Sequence, residues 1–153
     1  MQDLLKRIEN KDFTVGVVGL GYVGLPLAVE FGNAGIRTIG IDVNQSRVDQ
    51  LNRGENYIQD VSDAELKTLV DAGTFTATTD FSSIKHIDAI CIAVPTPLSK
   101  TKDPDITYIL DVNKQLEKYV NKGLVVILES TTYPGTTREL LQPALEASGL
   151  KVG

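Results

Sequence analysis

Gly19-Leu20-Gly21-Tyr22-Val23-Gly24 follows a β-branched run at residues 13–18 and opens a helix-forming stretch at residues 22–33, and no other feature limits the fold as much. A G-x-G-x-x-G turn between strand and helix has a physical logic. Gly19 permits the tight turn, Gly21 lets a ligand's phosphates approach the backbone, and Gly24 allows the helix to pack closely on the strand. Amides at the helix start, with the positive end of its dipole, can hold a diphosphate without Lys or Arg. Asn33-Ala34-Gly35 ends the helix, and residues 36–41 form a second strand that closes a βαβ unit of about 30 residues with Asp42 at its carboxyl end.

The same alternation continues along the chain. A short helix is expected at residues 45–52, and Ser62-Asp63-Ala64-Glu65 reads as a capping box opening a helix to about Ala72. Phe75-Thr76-Ala77-Thr78 is a brief strand, and residues 87–94 and 124–128 are apolar runs of the kind buried on both faces of a sheet. Further helices are expected from after Pro104-Asp105 to about Tyr119 and over residues 136–147, the latter bent by Pro143. Leu150-Lys151-Val152 reads as the start of another strand, and Asp3-Leu4-Leu5-Lys6-Arg7-Ile8 as a short leading helix docked on the domain. The pattern implies an α/β fold: a doubly wound parallel sheet of the Rossmann type in order 3-2-1-4-5-6, helices on both faces, with residues 1–153 as one domain. Ligands of such sheets bind at the carboxyl ends of strands where the order reverses, here the segments after Val18, Ile41, Val94 and Leu128.

Asp42 stands at about the spacing expected of the carboxylate that accepts hydrogen bonds from an adenosine ribose. Its charge repels a 2′-phosphate, so the expected cofactor is NAD rather than NADP. Arg47, about one helical turn on, could attract that phosphate or lie in solvent, and spacing leaves both open. A net charge of −5 argues against nucleic-acid or anionic-membrane partners, which need a basic face. Cys91 is the single cysteine, which fits a reducing cytoplasm and leaves no cysteine cluster for a metal. No apolar run approaches the roughly 20 residues of a membrane helix, and the charged amino terminus does not read as a secretory signal.

Two loops carry the next step. Val94-Pro95-Thr96-Pro97 follows one buried strand and Glu129-Ser130-Thr131-Thr132-Tyr133-Pro134-Gly135-Thr136-Thr137 the next. The two prolines bias the backbone toward extended geometry and hold Thr96 toward a ligand, while Ser130, Thr131 and Thr132 offer hydroxyls to a water, a ribose or a reacting alcohol. Turn formation and helix capping are the rival roles for the threonines. With Gly19-Leu20-Gly21-Tyr22-Val23-Gly24-Leu25-Pro26 and Gly40-Ile41-Asp42-Val43-Asn44, these loops resemble the UDP-glucose/GDP-mannose dehydrogenase family over nearly the whole chain. Residues 128–137 and Pro95-Thr96-Pro97-Leu98 look most like the branch acting on UDP-N-acetylglucosamine.

The resemblance implies an NAD-binding domain of an enzyme that oxidises the C6 alcohol of a UDP-sugar to the acid with two NAD, in polysaccharide biosynthesis. It implies a homo-oligomeric parent enzyme. Tyr22, Val23, Asp42, Arg47, Pro95, Thr96 and Thr131 would join the glycines as NAD contacts, and Thr131 would also help position the catalytic water or oxyanion. The family's catalytic cysteine, lysine and asparagine belong to a later region, beyond Gly153. Cys91 sits in an apolar run where a thiol packs as a small hydrophobe, His86 precedes a strand away from the expected ligand edge, and Asp103 and Asp105 read as helix-start charges rather than metal ligands. The rival readings are a free-standing NAD-binding sensor or scaffold, and the nucleotide domain of a hydroxyacid or hydroxyacyl dehydrogenase.

Overall fold

The computed structural model describes residues 2–98 and 104–153, with side chains from Leu5 onward, so Asp103 lies outside the described residues. Five parallel strands form one sheet in the order β3-β2-β1-β4-β5: β1 (Thr14–Val18), β2 (Arg37–Ile41), β3 (Phe75–Thr78), β4 (Ala89–Ile92) and β5 (Val125–Leu128). This is the expected order without its sixth strand. Leu150-Lys151-Val152 forms no strand, and among the described residues β5 is the edge of the sheet.

Among the described residues six α-helices accompany the strands: α1 (Gln2–Glu9), α2 (Gly24–Asn33), α3 (Gln45–Asn52), α4 (Asp63–Asp71), α5 (Thr107–Tyr119) and α6 (Gln142–Ala147). On α2 the buried residues Leu25, Ala28, Val29 and Gly32 fall on one stripe, and this helix covers β1 and β2. One apolar core gathers Val15, Val17, Leu25, Val29, Leu51, Leu66 and Phe75 on the face covered by α2, α3 and α4. Another gathers Val18, Ile41, Ile90, Ile92, Val112 and Leu116 on the face covered by α5. Ser62 caps α4 by accepting the Glu65 amide at 3.2 Å, but the Glu65 carboxylate turns away to Asn33 Nδ2, so the expected capping box is half formed.

One further expectation is corrected and another refined. β5 is not buried on both faces: Val126 and Leu128 pack into the second core, whereas Val125 and Ile127 are 43% and 39% exposed. Its apolar composition cannot say which face has a helix over it. The helix expected at residues 136–147 is present, and the structure adds that its first part, Thr137–Leu141, is a π turn running directly into α6. Pro143 has no amide and its ring crowds the carbonyl four residues back, and widening the preceding turn accommodates both. The leading helix does dock, through a bidentate ion pair from Arg7 to Asp88 at 2.9 Å; its apolar Leu5 and Ile8 remain exposed.

Candidate functional site

Because every strand runs the same way, the segments after β1, β2, β4 and β5 come to one edge of the sheet. The order reverses between β1 and β4, and there a cleft of about 730 Å³ opens. It is lined by Gly21, Tyr22 and Val23 from the glycine turn, Arg47 from α3, Pro95 and Thr96 after β4, and Thr131 after β5. Seven of the ten residues singled out from the sequence therefore share one cavity. The other three, Gly19, Gly24 and Asp42, support it from beneath.

The turn is shaped by steric necessity. Gly19 has φ +89°, and a Cβ there would lie 2.7 Å from the Ala93 carbonyl oxygen; a Cβ on Gly24 would lie 1.7 Å from the Gly19 oxygen. At Gly21 the same construction meets open space, so room exists beside the backbone where a phosphate would sit. No side chain caps the start of α2. That end keeps its dipole directed at the cleft.

Asp42 is 7% exposed and hydrogen-bonded on both carboxylate oxygens: Oδ2 accepts the Leu20 amide and Oδ1 the Asn44 amide, each at 2.9 Å. The carboxylate thus ties the glycine turn to the turn after β2. Arg47 Nη1 lies 3.9 Å from Asp42 Oδ2, and its guanidinium sits 5.4 Å from the centroid of the Tyr57 ring. Asn44 caps α3 by accepting the Arg47 amide at 3.1 Å.

The three neighbouring hydroxyls after β5 separate. Ser130 Oγ donates inward, 2.8 Å from the Val94 carbonyl oxygen, and joins the two loops. Thr132 Oγ1 is bonded to Thr136 Oγ1 at 2.6 Å and serves the start of the following helix. Ser130 and Thr131 both line the cleft, but the Ser130 hydroxyl is committed to the Val94 carbonyl, and Thr131 is the exposed one of the three; Thr132 lies outside the lining.

Cys91 is 3% exposed on β4, and burial, with a lesser contribution from the charge of Glu129, pushes its thiol up. His86 ends a 3₁₀ turn, Phe81–His86, before the amino end of β4 and thus at the opposite edge. Asp105 accepts the Thr107 hydroxyl at 2.6 Å and its amide at 2.9 Å, a helix-start role; these bonds hold its carboxyl below the usual range. A larger groove of about 1100 Å³ lies beyond β5, between residues 120–126, the π turn with α6, and residues 150–153. None of the ten candidate cofactor-binding residues lines it.

Sequence reasoning missed Tyr57, Ile58 and Gln50, which also line the cleft. They lie within α3 or in the loop after it, and no motif or periodicity marks them.

A parallel sheet with a glycine turn at its switch point and an acidic residue ending β2 defines a dinucleotide-binding domain of the Rossmann type. The UDP-glucose/GDP-mannose dehydrogenase family model, for its NAD binding domain, matches residues 13–152, and the chain belongs to that family. It is 43% identical over 143 residues to a UDP-N-acetyl-D-glucosamine 6-dehydrogenase of Pseudomonas aeruginosa, covering 92% of this chain and 33% of the relative. It is 40% identical over 130 residues to a UDP-N-acetyl-D-mannosamine dehydrogenase of Escherichia coli (strain K12), covering 84% of this chain and 30% of the relative. Among solved structures, an NDP-N-acetyl-D-galactosaminuronic acid dehydrogenase of Methanosarcina mazei Go1 superposes with a TM-score of 0.85 at 36% identity, covering 100% of this chain and 35% of the other. The chain spans about a third of the length of these relatives.

Proposed function

We propose that residues 1–153 form one nucleotide-binding domain that holds NAD for the oxidation of a UDP-sugar's C6 alcohol to the acid. The observation that carries this reading is the convergence of Gly21, Tyr22, Val23, Arg47, Pro95, Thr96 and Thr131 on one cleft at the switch point. The residues fit the cofactor: open space at Gly21 for the diphosphate, Asp42 and Arg47 at the adenosine end, and Thr96 and Thr131 across the cleft at the nicotinamide end. NAD, when bound, supplies the hydride acceptor, and two are consumed per alcohol taken to a carboxylate. Thr131 would orient the reacting oxygen or an attacking water, since it is exposed in the cleft lining while the hydroxyls of Ser130 and Thr132 are engaged by the Val94 carbonyl and Thr136.

The finer reading is a UDP-N-acetylglucosamine 6-dehydrogenase working as a homo-oligomer in the cytoplasm, in polysaccharide biosynthesis. It is supported by the sequence of residues 128–137 and by the Pseudomonas aeruginosa relative. The second cleft-facing requirement, a thiolate nucleophile, is not met by the buried Cys91. Calorimetric titration of this chain with NAD and NADP tests the cofactor reading, and NAD is expected to bind the more tightly. Mixed with NAD and either UDP-N-acetylglucosamine or UDP-N-acetylmannosamine, the chain is expected to make no NADH. Sustained NADH formation would overturn the reading that these residues hold the cofactor without supplying the thiolate nucleophile.

A further inference from the structure

The loop between α3 and α4 is built from within. Asn56 Oδ1 accepts the Ile58 amide at 2.9 Å, its Nδ2 donates to the Ile58 and Val61 carbonyls, and its own amide donates to Asp63 Oδ1 at 2.8 Å. The loop is thus held on one side of Tyr57 by the Asn56 hydrogen bonds and on the other by Ile58 and Val61, which are buried in the core, while Tyr57 lines the cleft.

Tyr57 meets the site at two points. Its hydroxyl donates to the Leu20 carbonyl at 2.6 Å, and its ring carries the Arg47 guanidinium. The Leu20 amide is already bound by Asp42. Two successive peptide groups of the glycine turn are therefore held from two different loops, just ahead of the open space at Gly21. Burial, reinforced by the Asp42 charge and only partly offset by Arg47, pushes the phenol up to about 12, so it remains a donor at neutral pH.

We propose that Tyr57 is a positioning residue for the dinucleotide: its hydroxyl fixes the turn that receives the diphosphate, and its ring holds Arg47 beside Asp42, where the guanidinium is engaged by ring and carboxylate instead of a 2′-phosphate. The inference rests on the NAD reading above. It answers the question that spacing left open for Arg47, and it makes selectivity for NAD a property of Asp42, Arg47 and Tyr57 together.

The test is calorimetric titration of NAD and NADP into the wild-type chain and the variants Tyr57→Phe, Tyr57→Leu and Arg47→Ala, each checked for a cooperative melt. Tyr57→Phe keeps the ring and loses the hydroxyl. It is expected to weaken both dinucleotides in parallel, by about two- to twelvefold, the range of one hydrogen bond. Tyr57→Leu also frees Arg47 and is expected to narrow the NAD/NADP ratio by about two- to fivefold, the range of an exposed cation–π contact. Preservation of the ratio by Phe and not by Leu is an outcome that loss of packing alone does not produce. Should Tyr57→Leu fail to fold, Arg47→Ala decides: a parked arginine gives a ratio that does not widen, whereas a selective loss of NADP binding overturns the proposal. An unchanged ratio in a folded Tyr57→Leu, or wild-type affinities in Tyr57→Phe, also overturns it. A wild-type chain that binds neither dinucleotide overturns the NAD reading itself; NAD binding with all three variants indistinguishable from wild type overturns this proposal alone.

Discussion

The Asp42 carboxylate accepts the Leu20 amide at 2.9 Å across 22 residues of sequence, and Leu20 is fully buried. An acidic residue expected to serve a ribose is thus also a structural tie. Asp42→Ala leaves the Leu20 and Asn44 amides without their acceptor, which costs about 1–3 kcal/mol for a buried group. The variant is therefore expected to lose stability as well as NAD affinity, with a narrower NAD/NADP ratio. Asp42→Asn is no rescue, because its NH₂ must face one of the two amide donors. Urea unfolding read beside calorimetry separates the two losses, and an Asp42→Ala chain as stable as wild type would contradict the tie.

Gly21 and Gly24 have opposite surroundings, in keeping with their different roles in the motif. A methyl at Gly24 lies 1.7 Å from the Gly19 carbonyl oxygen, a backbone atom that cannot step aside. Gly24→Ala is expected to cost more than about 4 kcal/mol and to leave little folded protein. A methyl at Gly21 meets nothing, so Gly21→Ala is expected to melt within about 0.5 kcal/mol of wild type. It should still lower NAD affinity by about five- to a hundredfold, the range of overpacking a fitted site. Gly21→Ala with undiminished affinity would place the diphosphate elsewhere.

How legible these features were depends on how local their causes are. The strand order followed from alternating elements and right-handed crossovers, and the cleft's position followed from the order. Tyr57 was invisible because its reach to Leu20 is set by the fold of the Asn56 loop, with no periodicity to announce it. The hydroxyls of Ser130, Thr131 and Thr132 look alike in sequence, yet the direction of Ser130 is fixed by a carbonyl 36 residues away. An apolar run such as β5 reports that a strand is apolar; whether a helix covers each face is a property of the rest of the fold. Leu150-Lys151-Val152 had strand-like composition but no partner that composition could supply.

The division among those hydroxyls is testable side by side. Ser130→Ala removes the bond to the Val94 carbonyl and is expected to cost about 0.5–1.5 kcal/mol of stability. Thr131→Val removes an exposed hydroxyl with no protein partner among the described residues and is expected to change stability by less than about 0.5 kcal/mol. Its effect belongs to the ligand, as a fall in NAD affinity of about two- to twelvefold for one hydrogen bond. Melting curves and titrations of both variants give the answer; a destabilised Thr131→Val with normal NAD binding would reverse the assignment.

Acid sensitivity should trace to the other edge of the sheet. Burial pushes the Asp88 carboxyl up, but the Arg7 guanidinium bonds, the Thr14 amide and the Arg7 charge together outweigh it and hold it below the usual carboxylate range. A carboxyl lowered on folding contributes stability in full above its unfolded pKa of about 4, and the contribution is lost as pH falls through the folded value. The pair is partly exposed, so solvent screening limits it to about 0.5–1.5 kcal/mol near pH 7 even with bidentate geometry. Arg7→Ala is therefore expected to be less stable than wild type at neutral pH and to converge on it as the solution is acidified below about pH 4. Urea midpoints measured for both proteins across that interval check the sign. Parallel curves that never approach one another would show that Asp88 does not couple α1 to protonation, because the loss at neutral pH would then come from Arg7's packing alone.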